Sequence, residues 1–250
     1  MPERRRAVKV ATAMTASPKH PRHRASLLYR LVSLAYLVPL GLAALFLVVA
    51  TVYSQTHPPS MLMLGRWLTG QSVDRRWVGL DDISRNLVAA VVTSEDARFC
   101  SHHGVDWVEM RTALDDSEDG GPSRGASTIS MQTVKNLFLW NSRSFIRKGL
   151  EIPMALALDR LWSKRRMLEV YLNIAEWGEG VFGAEAASRI SFGKAAKDLT
   201  PREAALLAAA LPNPKRRDAR HPSRGYLRRA TTIARLATPD ADWLDCLGRR

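Results

Sequence analysis

The feature that most constrains this chain is an apolar stretch near its N-terminus. From Leu31 to Tyr53, twenty-three residues pass without a charged side chain. At 1.5 Å per helical residue, such a stretch spans ~30 Å of hydrocarbon. It therefore predicts a transmembrane helix, in which Pro39 is a point of bending. The alternative is a cleavable signal peptide, but its apolar region would be shorter and followed by a small-residue cleavage site.

Basic residues are concentrated before this stretch. The first thirty residues contain eight arginines and lysines and a single glutamate. The positive-inside rule then predicts a basic cytoplasmic tail over residues 1–26, a membrane helix over 27–53, and the remainder across the membrane. That remainder is predicted to comprise a juxtamembrane segment, 54–76, and one globular domain, 77–250. In a bacterium this describes a single-pass protein of the inner membrane whose main domain is periplasmic.

The net charge of the chain limits the kinds of molecule that it is expected to bind. The formal net charge of +13 predicts an anionic partner, which could be nucleic acid, anionic lipid or a phosphate-bearing substrate. Nucleic acid is disfavoured because most of the chain lies outside the cytoplasm and carries no recognised binding motif.

Cys100 and Cys246 alone impose no framework, so no structural disulfide is expected. The adjacent His102 and His103 cannot both face one metal ion from a regular element, so no zinc site is predicted.

An apolar helical run, Leu87 to Val92, leads into a segment rich in charged and proton-transferring side chains, Thr93 to Trp107. A carboxylate at the end of such a run is held by a rigid element and shielded from water on one side. This is the setting in which a glutamate is tuned as a general acid or base, and Glu95 is the candidate. Taken alone, a Glu-Asp pair at a helix end is more often a solvated pair.

The segment also contains an extended pattern, Glu-Asp-x-x-Phe-x-x-His-x-Gly-x-Asp. Its defined positions are Glu95, Asp96, Phe99, His102, Gly104 and Asp106. The pattern resembles the first signature of the peptidoglycan glycosyltransferases, glycosyltransferase family 51. Three further segments resemble the other signatures in order: 125–136, Arg147–Glu151 and Lys164–Asn173. The resemblance covers roughly residues 81–214. It implies a mainly α, lysozyme-like glycosyltransferase domain preceded by a single N-terminal transmembrane helix.

The resemblance also implies a reaction. It implies polymerisation of glycan strands from lipid II and a growing lipid-linked glycan chain, with undecaprenyl pyrophosphate as the leaving group. Glu95 is implied as the general base on the 4-hydroxyl of the acceptor N-acetylglucosamine. Glu151 is implied as a second catalytic carboxylate on the donor side, which orients the pyrophosphate directly or through a divalent cation, Mg²⁺ or Mn²⁺.

Cations and hydrogen-bond donors complete the expected site. A pyrophosphate departs readily only where fixed cations meet its growing charge. The candidates are Lys135, Arg143, Arg147 and Lys148. Neutral hydrogen bonds to sugar or phosphate are assigned to Ser127, Thr128, Gln132 and Asn136. Asp96, Phe99 and His102 are expected to shape the loop that presents Glu95.

The chain departs from the family pattern in its second signature. Ala126, Ser130 and Met131 replace Gly, Thr and Gln, so no hydrogen bond is expected from position 131. Elsewhere, the segment 191–194 matches the Ser-x-x-Lys motif of a penicillin-binding transpeptidase, but no Lys-Thr-Gly motif follows it. The chain therefore resembles the monofunctional members of the family.

Two other functions stay open at this point. A lysozyme-like hydrolase or lytic transglycosylase could also use one glutamate, but it would need no pyrophosphate clamp. The cations from Lys135 to Lys148 argue for such a clamp. A non-enzymatic, membrane-anchored protein could use the basic surface to bind glycan or lipid. Cell-wall synthesis or division proteins are further expected partners, which the residues do not identify.

Helical periodicity and capping residues predict the main elements. The predicted helices are one ending near Glu95, one capped by Ser127 or Thr128 and running through Leu139, Ile152–Leu161, Lys164–Asn173, Ala184–Ile190, Thr200–Leu211 and Tyr226–Leu236. Of these, Ile152–Leu161 is rich in alanine and leucine and is expected to be buried nearly all round. Alternating strands are absent from the sequence, which favours a mainly α domain.

Overall fold

The computed structural model describes residues 22–118, 125–140, 142, 144–239 and 242–248. Over this part the chain is mainly helical, as predicted. The helices are α1 Arg22–Tyr53, α2 Met61–Leu68, α3 Arg85–Glu95, α4 Trp107–Glu118, α5 Ile129–Phe138, α6 Phe145–Leu161, α7 Lys164–Ile174, α8 Ala184–Phe192, α9 Pro201–Ala210 and α10 Arg224–Leu236. Residues 1–21 of the predicted tail, and the predicted pyrophosphate ligand Arg143, lie outside the described residues.

Helix α1 contains the predicted membrane segment. Its portion from Tyr29 to Tyr53 has 25 residues and is long and apolar enough to cross a bilayer. The helix continues through Pro39. The chain divides after Val48 into two compact units, and the second unit holds helices α2 to α10. The segment predicted as juxtamembrane, 54–76, folds as part of this second unit.

The core of the second unit is built around α9. Thr200 caps this helix and Glu203 bonds back to the Thr200 backbone, with Pro201 at the first helical position. The residues Ala204 to Ala210 are all buried. Helix α9 packs against α3 and α10. Its small alanine side chains allow close approach, and this packing holds α3, which carries Glu95, inside the fold.

A small sheet joins the helices. Its strands are β1 Asp74–Arg75, β2 Glu176–Gly178 and β3 Val181–Phe182, in the order β1-β3-β2. Strand β1 pairs parallel with β3, and β2 pairs antiparallel with β3. The sequence analysis found no strands because elements of two or three residues are too short to show an alternating pattern.

Helix α6 differs from its prediction. It begins at Phe145, two turns before the predicted start at Ile152. The expectation that the range from Ile152 to Leu161 is buried nearly all round is wrong, because only Ala155 and Leu158 are buried within it. Helix α6 packs against α5, while Leu161 and other apolar side chains of α6 remain exposed. An apolar composition does not reveal whether neighbours exist on every side of a helix.

The two cysteines form a disulfide, contrary to the expectation from the sequence. Cys100, in the loop after α3, is bonded to Cys246 in a short 3-10 helix, Asp242–Leu247, 146 positions further on. Arg165 on α7 donates a hydrogen bond to the Leu247 carbonyl at 3.0 Å and helps to hold this segment. The expectation was wrong because two distant cysteines carry no spacing signal, and tertiary contacts decide whether they meet.

Reduction of this disulfide is expected to destabilise the domain. Closing a long loop restricts the unfolded chain, and loss of a native disulfide typically costs about 2–5 kcal/mol. Thermal unfolding of the purified protein should therefore occur at a lower temperature with dithiothreitol than without it. The Cys100→Ser/Cys246→Ser variant is the control, because its unfolding temperature should not respond to the reductant. Equal unfolding temperatures for the wild type in both conditions would contradict a structural role.

Candidate active site

Helix α3 positions Glu95. The Ser84 side chain caps the helix by accepting a hydrogen bond from the Asn86 backbone at 3.2 Å. Every residue from Leu87 to Val92 is buried, so the apolar run fixes the helix in the core. Glu95 is the last helical residue, and Asp96 leads the chain away. The prediction that a core helix delivers this glutamate at its C-terminal end is confirmed.

A hydrogen-bonded chain of side chains holds one oxygen of Glu95. The Gln132 side chain on α5 donates from Nε2 to Glu95 Oε2 at 3.1 Å. The Tyr171 hydroxyl on α7 donates to Gln132 Oε1, also at 3.1 Å. Burial raises the pKa of Tyr171 well above its ordinary value, so the hydroxyl stays protonated and remains a donor. The other oxygen, Glu95 Oε1, is shielded from solvent and has no hydrogen-bond partner among the described residues.

Burial and positive charge act on Glu95 in opposite directions. Burial raises the pKa of the Glu95 carboxyl group above its ordinary value. The hydrogen bond from Gln132 opposes this rise, and so do the charges of Arg229, Lys135 and Arg217. The nearby cations favour the ionised form, but burial outweighs them. A raised pKa makes the carboxylate a stronger base, provided that the cations keep it ionised near neutral pH.

The residues expected to shape the loop after α3 do build it. Asp96 is buried, and its carboxylate pairs with His102 Nε2 at 2.9 Å. The same carboxylate accepts a hydrogen bond from the Ile129 backbone at 2.9 Å, which ties the end of α3 to the start of α5. Phe99 is fully buried, with the Lys164 ammonium 4.7 Å from the centre of its ring. These contacts fix the loop beside the candidate base.

Gly104 and Thr128 join this loop to α5 and α6. Gly104 has a φ of +85°, and a Cβ there would lie 2.6 Å from the Ala155 carbonyl oxygen, so only glycine fits. The Thr128 hydroxyl accepts a hydrogen bond from the Met131 backbone at 3.1 Å and donates one to the Gly104 carbonyl at 2.6 Å. Because the hydroxyl is buried and used within the protein, we assign Thr128 to the framework rather than to substrate binding.

A second cluster gathers around Glu151 on α6. Glu151 is 2% exposed, and its two oxygens bond to Arg147 and to Lys148, the latter at 3.1 Å. Lys148 also donates a hydrogen bond to the Ser127 hydroxyl at 2.7 Å. The spacing of Arg147 and Glu151 alone would equally suit a surface ion pair. Burial of the carboxylate excludes that interpretation and shows that Glu151 holds both cations in fixed positions.

Lys135 on α5 is coupled electrostatically to both clusters. Burial lowers the pKa of Lys135, the charge of Arg147 lowers it further, and the charge of Glu95 opposes the change. Burial also lowers the pKa of Lys148, and the charges of Arg147 and Lys135 add to this effect. The cations therefore repel one another in a partly dry environment. An anionic ligand would relieve this repulsion.

Two cavities open beside these residues. The first, the large cleft, has a volume of about 490 Å³, and its lining includes Met61, Leu62, Gln132, Lys135, Asn136 and the segment 211–215. The second, the lip cavity, has a volume of about 210 Å³, and its lining includes Glu95, Asp106, Ser127 and Thr128. Because Gln132 in the cleft bonds directly to Glu95 in the lip cavity, this pair lies between the two spaces.

The side chains around Glu151 bear on the divalent cation that the family resemblance left open. Mg²⁺ is usually held by one or two free carboxylates together with substrate phosphates. Glu151, the carboxylate expected to face the pyrophosphate, is bonded through both oxygens to Arg147 and Lys148. Within the described ranges, no group of three acidic, histidine or cysteine side chains could hold a metal ion. The paired oxygens of Glu151 therefore do not fit a resident metal ion.

The structure brings most of the predicted site residues into two groups. The first group comprises Glu95, Gln132 and Lys135. The second group comprises Ser127, Arg147, Lys148 and Glu151. Asn136 lines the large cleft. The sequence analysis assigned no role to Tyr171, although it lies in the fourth signature. It also missed Arg217 and Arg229, which act on Glu95 from distant parts of the chain. Their only sequence signal is the basic character of the C-terminal region.

Removal of the Tyr171 hydroxyl is expected to change how the catalytic rate depends on pH. The rise of the rate on the acidic side, the acid limb of the profile, should move to higher pH. Without this donor the Gln132 amide is free to turn, and Glu95 loses the hydrogen bond that favours its ionised form. The pKa of Glu95 then rises further, so the Tyr171→Phe variant needs a higher pH to ionise its base. We expect roughly fivefold lower activity near neutral pH, the effect of one hydrogen bond.

Tyr226→Phe is the matched control for this variant. The Tyr226 hydroxyl is also buried, but it donates to the Leu206 carbonyl, and no described contact joins it to Gln132. Its loss should leave the acid limb where it is in the wild type. An unchanged limb in Tyr171→Phe would show that the hydroxyl does not orient Gln132.

Comparisons with known proteins agree over most of the chain. A family model described as transglycosylase matches residues 63–237. A biosynthetic peptidoglycan transglycosylase of Rhizobium meliloti (strain 1021) is 48% identical over 233 residues, which cover 93% of this chain and 97% of that protein. A protein of the same name from Rhodospirillum centenum is 53% identical over 212 residues, covering 84% and 92%. Another, from Nitrobacter hamburgensis, is 50% identical over 223 residues, covering 88% and 99%.

Proposed function

Because the chain belongs to the transglycosylase family, we propose that it polymerises glycan strands from lipid II and a growing lipid-linked chain, with Glu95 as the general base. It is a peptidoglycan transglycosylase of cell-wall synthesis. The proposal concerns the substrate and the mechanism. The observation that carries it is the environment of Glu95: Gln132 holds one oxygen, and the other has no partner among the described residues.

In the proposed reaction, Glu95 takes the proton from the 4-hydroxyl of the acceptor sugar. The acceptor oxygen forms a bond to C1 of the donor sugar, and the bond between C1 and the pyrophosphate oxygen breaks. The proton resides on Glu95, and the electron pair leaves with the pyrophosphate. Burial supports this role because it strengthens the carboxylate as a base, and the cations around it support ionisation.

The leaving pyrophosphate would be met by Lys135, Arg147 and Lys148. Their mutual repulsion supports this assignment, since an anionic leaving group whose charge grows as it departs compensates charges that the described residues leave partly unmatched. Glu151 acts as a positioning residue in this scheme, because it holds two of the cations rather than facing the substrate freely. Ser127 is bonded by Lys148 and supports the same cluster.

The lipid-linked nature of the substrate is supported by α2. This helix follows the membrane segment in the chain, and its Met61 and Leu62 side chains line the large cleft. Met61 is 41% exposed, so an apolar surface is available to a lipid chain. We place residues 1–26 in the cytoplasm and the catalytic unit in the periplasm. The basic N-terminal residues support this topology, as does the disulfide, which persists in an oxidising compartment.

The test is polymerisation by the purified full-length protein in detergent. We expect glycan polymer from lipid II and no release of fragments from purified, uncrosslinked glycan. The reverse result would favour the hydrolase or lytic transglycosylase alternative. Binding of glycan without either product would favour a non-enzymatic role. A parallel reaction with a chelator tests the divalent cation, and the donor set around Glu151 predicts the same polymer yield.

A further inference from the structure

A third cavity, the arginine cavity, lies beside the β2–β3 hairpin. Its volume is about 320 Å³, and its walls come from β2, β3, α8, α9 and the segment that follows α9. Neither Glu95 nor Glu151 lines it. No step of the proposed reaction uses this space, although it belongs to the same unit of the fold.

Positive charge is in excess around the arginine cavity. Its basic side chains are Lys215, Arg216, Arg217 and Arg220, and its acidic ones are Glu179 and Asp218. Both acids are already paired. Asp218 bonds to Arg220 at 2.9 Å. Glu179 bonds to Arg66, which lies outside the cavity wall, at 3.4 Å. In the part of the chain that the structure describes, the remaining three cations have no carboxylate partner.

Trp177 forms part of the wall of the same cavity. It is 5% exposed. Its indole Nε1–H is shielded from solvent and meets no acceptor in the described segments. Buried N–H groups nearly always have an acceptor, and the indole nitrogen can only donate. Because this N–H is shielded, the cations decide the ligand: those without a carboxylate partner are matched by a group that carries negative charge.

The apolar side of the cavity decides which anion fits better. Val181, Ile190 and Leu207 contribute to the wall. A bare phosphate gains nothing from these side chains, whereas a carboxylate on an aliphatic peptide pairs with the cations and packs against the wall. We propose that the arginine cavity binds a carboxylate of the peptide carried by the lipid-linked disaccharide substrate. This inference rests on the proposed function, which supplies the peptide-bearing substrate.

The arginine cavity adjoins the large cleft. Pro214 and Lys215 line both spaces, so the cavity and the cleft share a wall at this segment. Arg217 lines the cavity and also acts electrostatically on Glu95. A peptide carboxylate bound here positions the sugar relative to the base without touching the reacting atoms. The expected signature is therefore a change in KM with little change in kcat.

The experiment compares two substrates in the polymerisation assay with the full-length protein. One is lipid II with free peptide carboxylates, and the other is lipid II with the same carboxylates amidated. For the wild type, amidation should raise KM roughly tenfold, the factor for losing one hydrogen bond to a charged group. Arg216→Gln should raise KM for the free carboxylate by a similar factor and should no longer distinguish the two substrates.

Arg202→Gln is the matched control, because Arg202 is an exposed arginine on α9 outside the three cavities. It should retain the wild-type preference. Equal KM values of the wild type for both substrates, or an unchanged preference in Arg216→Gln, would overturn the inference. Inhibition by inorganic phosphate would not rescue the inference if that preference is absent, because phosphate can also bind the cations Lys135, Arg147 and Lys148. Failure of the wild type to polymerise either substrate would instead reject the proposed function.

Discussion

Glu95→Gln is expected to reduce polymerisation by roughly 10²- to 10⁴-fold, the usual contribution of a general base. The amide has nearly the shape of the carboxylate and can still accept the Gln132 hydrogen bond, but it cannot take a proton from the acceptor hydroxyl. Polymer formation from lipid II measures the loss. Turnover near that of the wild type would remove Glu95 from the mechanism.

The same variant should remain folded, which separates chemistry from stability. Because burial raises the pKa of Glu95 in the folded state, ionising it costs stability as the pH rises through that pKa. The neutral amide of the variant carries no such cost, so Glu95→Gln should unfold at the same temperature as the wild type at low pH and at an equal or higher temperature at pH 8. Asp82→Asn is the control, since Asp82 is an exposed carboxylate outside the three cavities whose change should leave turnover intact.

Lys135→Ala is expected to lower kcat by roughly 10²-fold, the effect of removing one preorganised group from a developing charge. The described contacts give Lys135 no carboxylate bonded within ion-pair distance, and the charge of Arg147 acts on it, so we expect its ammonium to act on an anionic ligand rather than to stabilise the fold. The variant should therefore keep the unfolding temperature of the wild type. Lys197→Ala, a change of an exposed lysine, should leave kcat unaltered.

Inhibition by inorganic pyrophosphate distinguishes a leaving-group role from a general structural one. Pyrophosphate should inhibit the wild type and the Lys197→Ala variant to the same degree. Lys135→Ala should require a higher concentration for the same inhibition, because one of its binding cations is missing. If Lys135→Ala matched the wild type both in kcat and in its inhibition by pyrophosphate, Lys135 would have no role in binding the leaving group.

Local sequence signals accounted for the ends of the main helices. Ser84 and Thr200 cap α3 and α9 through bonds to residues no more than three positions away, so the necessary information lies within one turn. The same holds for Thr128 as the cap of α5. The position of Glu95 at a helix end followed from such signals. The signature motifs indicated which carboxylates and cations belong to the candidate site. They did not indicate how these groups are arranged in space.

The failed expectations share one physical cause. Cys100 and Cys246 meet across a long loop, and α6 is exposed on a side that its composition would place inside. Burial of Glu151 between two cations likewise depends on how α6 packs against α5. Each property is set by neighbours that are distant in the chain, and periodicity or spacing carries no record of them.

By itself the sequence determined the membrane segment, the helical character of the domain, and the chemical types gathered in its signatures. These depend on side-chain polarity, helical period and caps, which act over a few residues. Only the tertiary structure decided that Gln132 and Tyr171 hold one oxygen of Glu95, and that burial outweighs the surrounding cations in setting its pKa. Solvent exclusion and charge act through space, so they exist only once the distant segments are packed together.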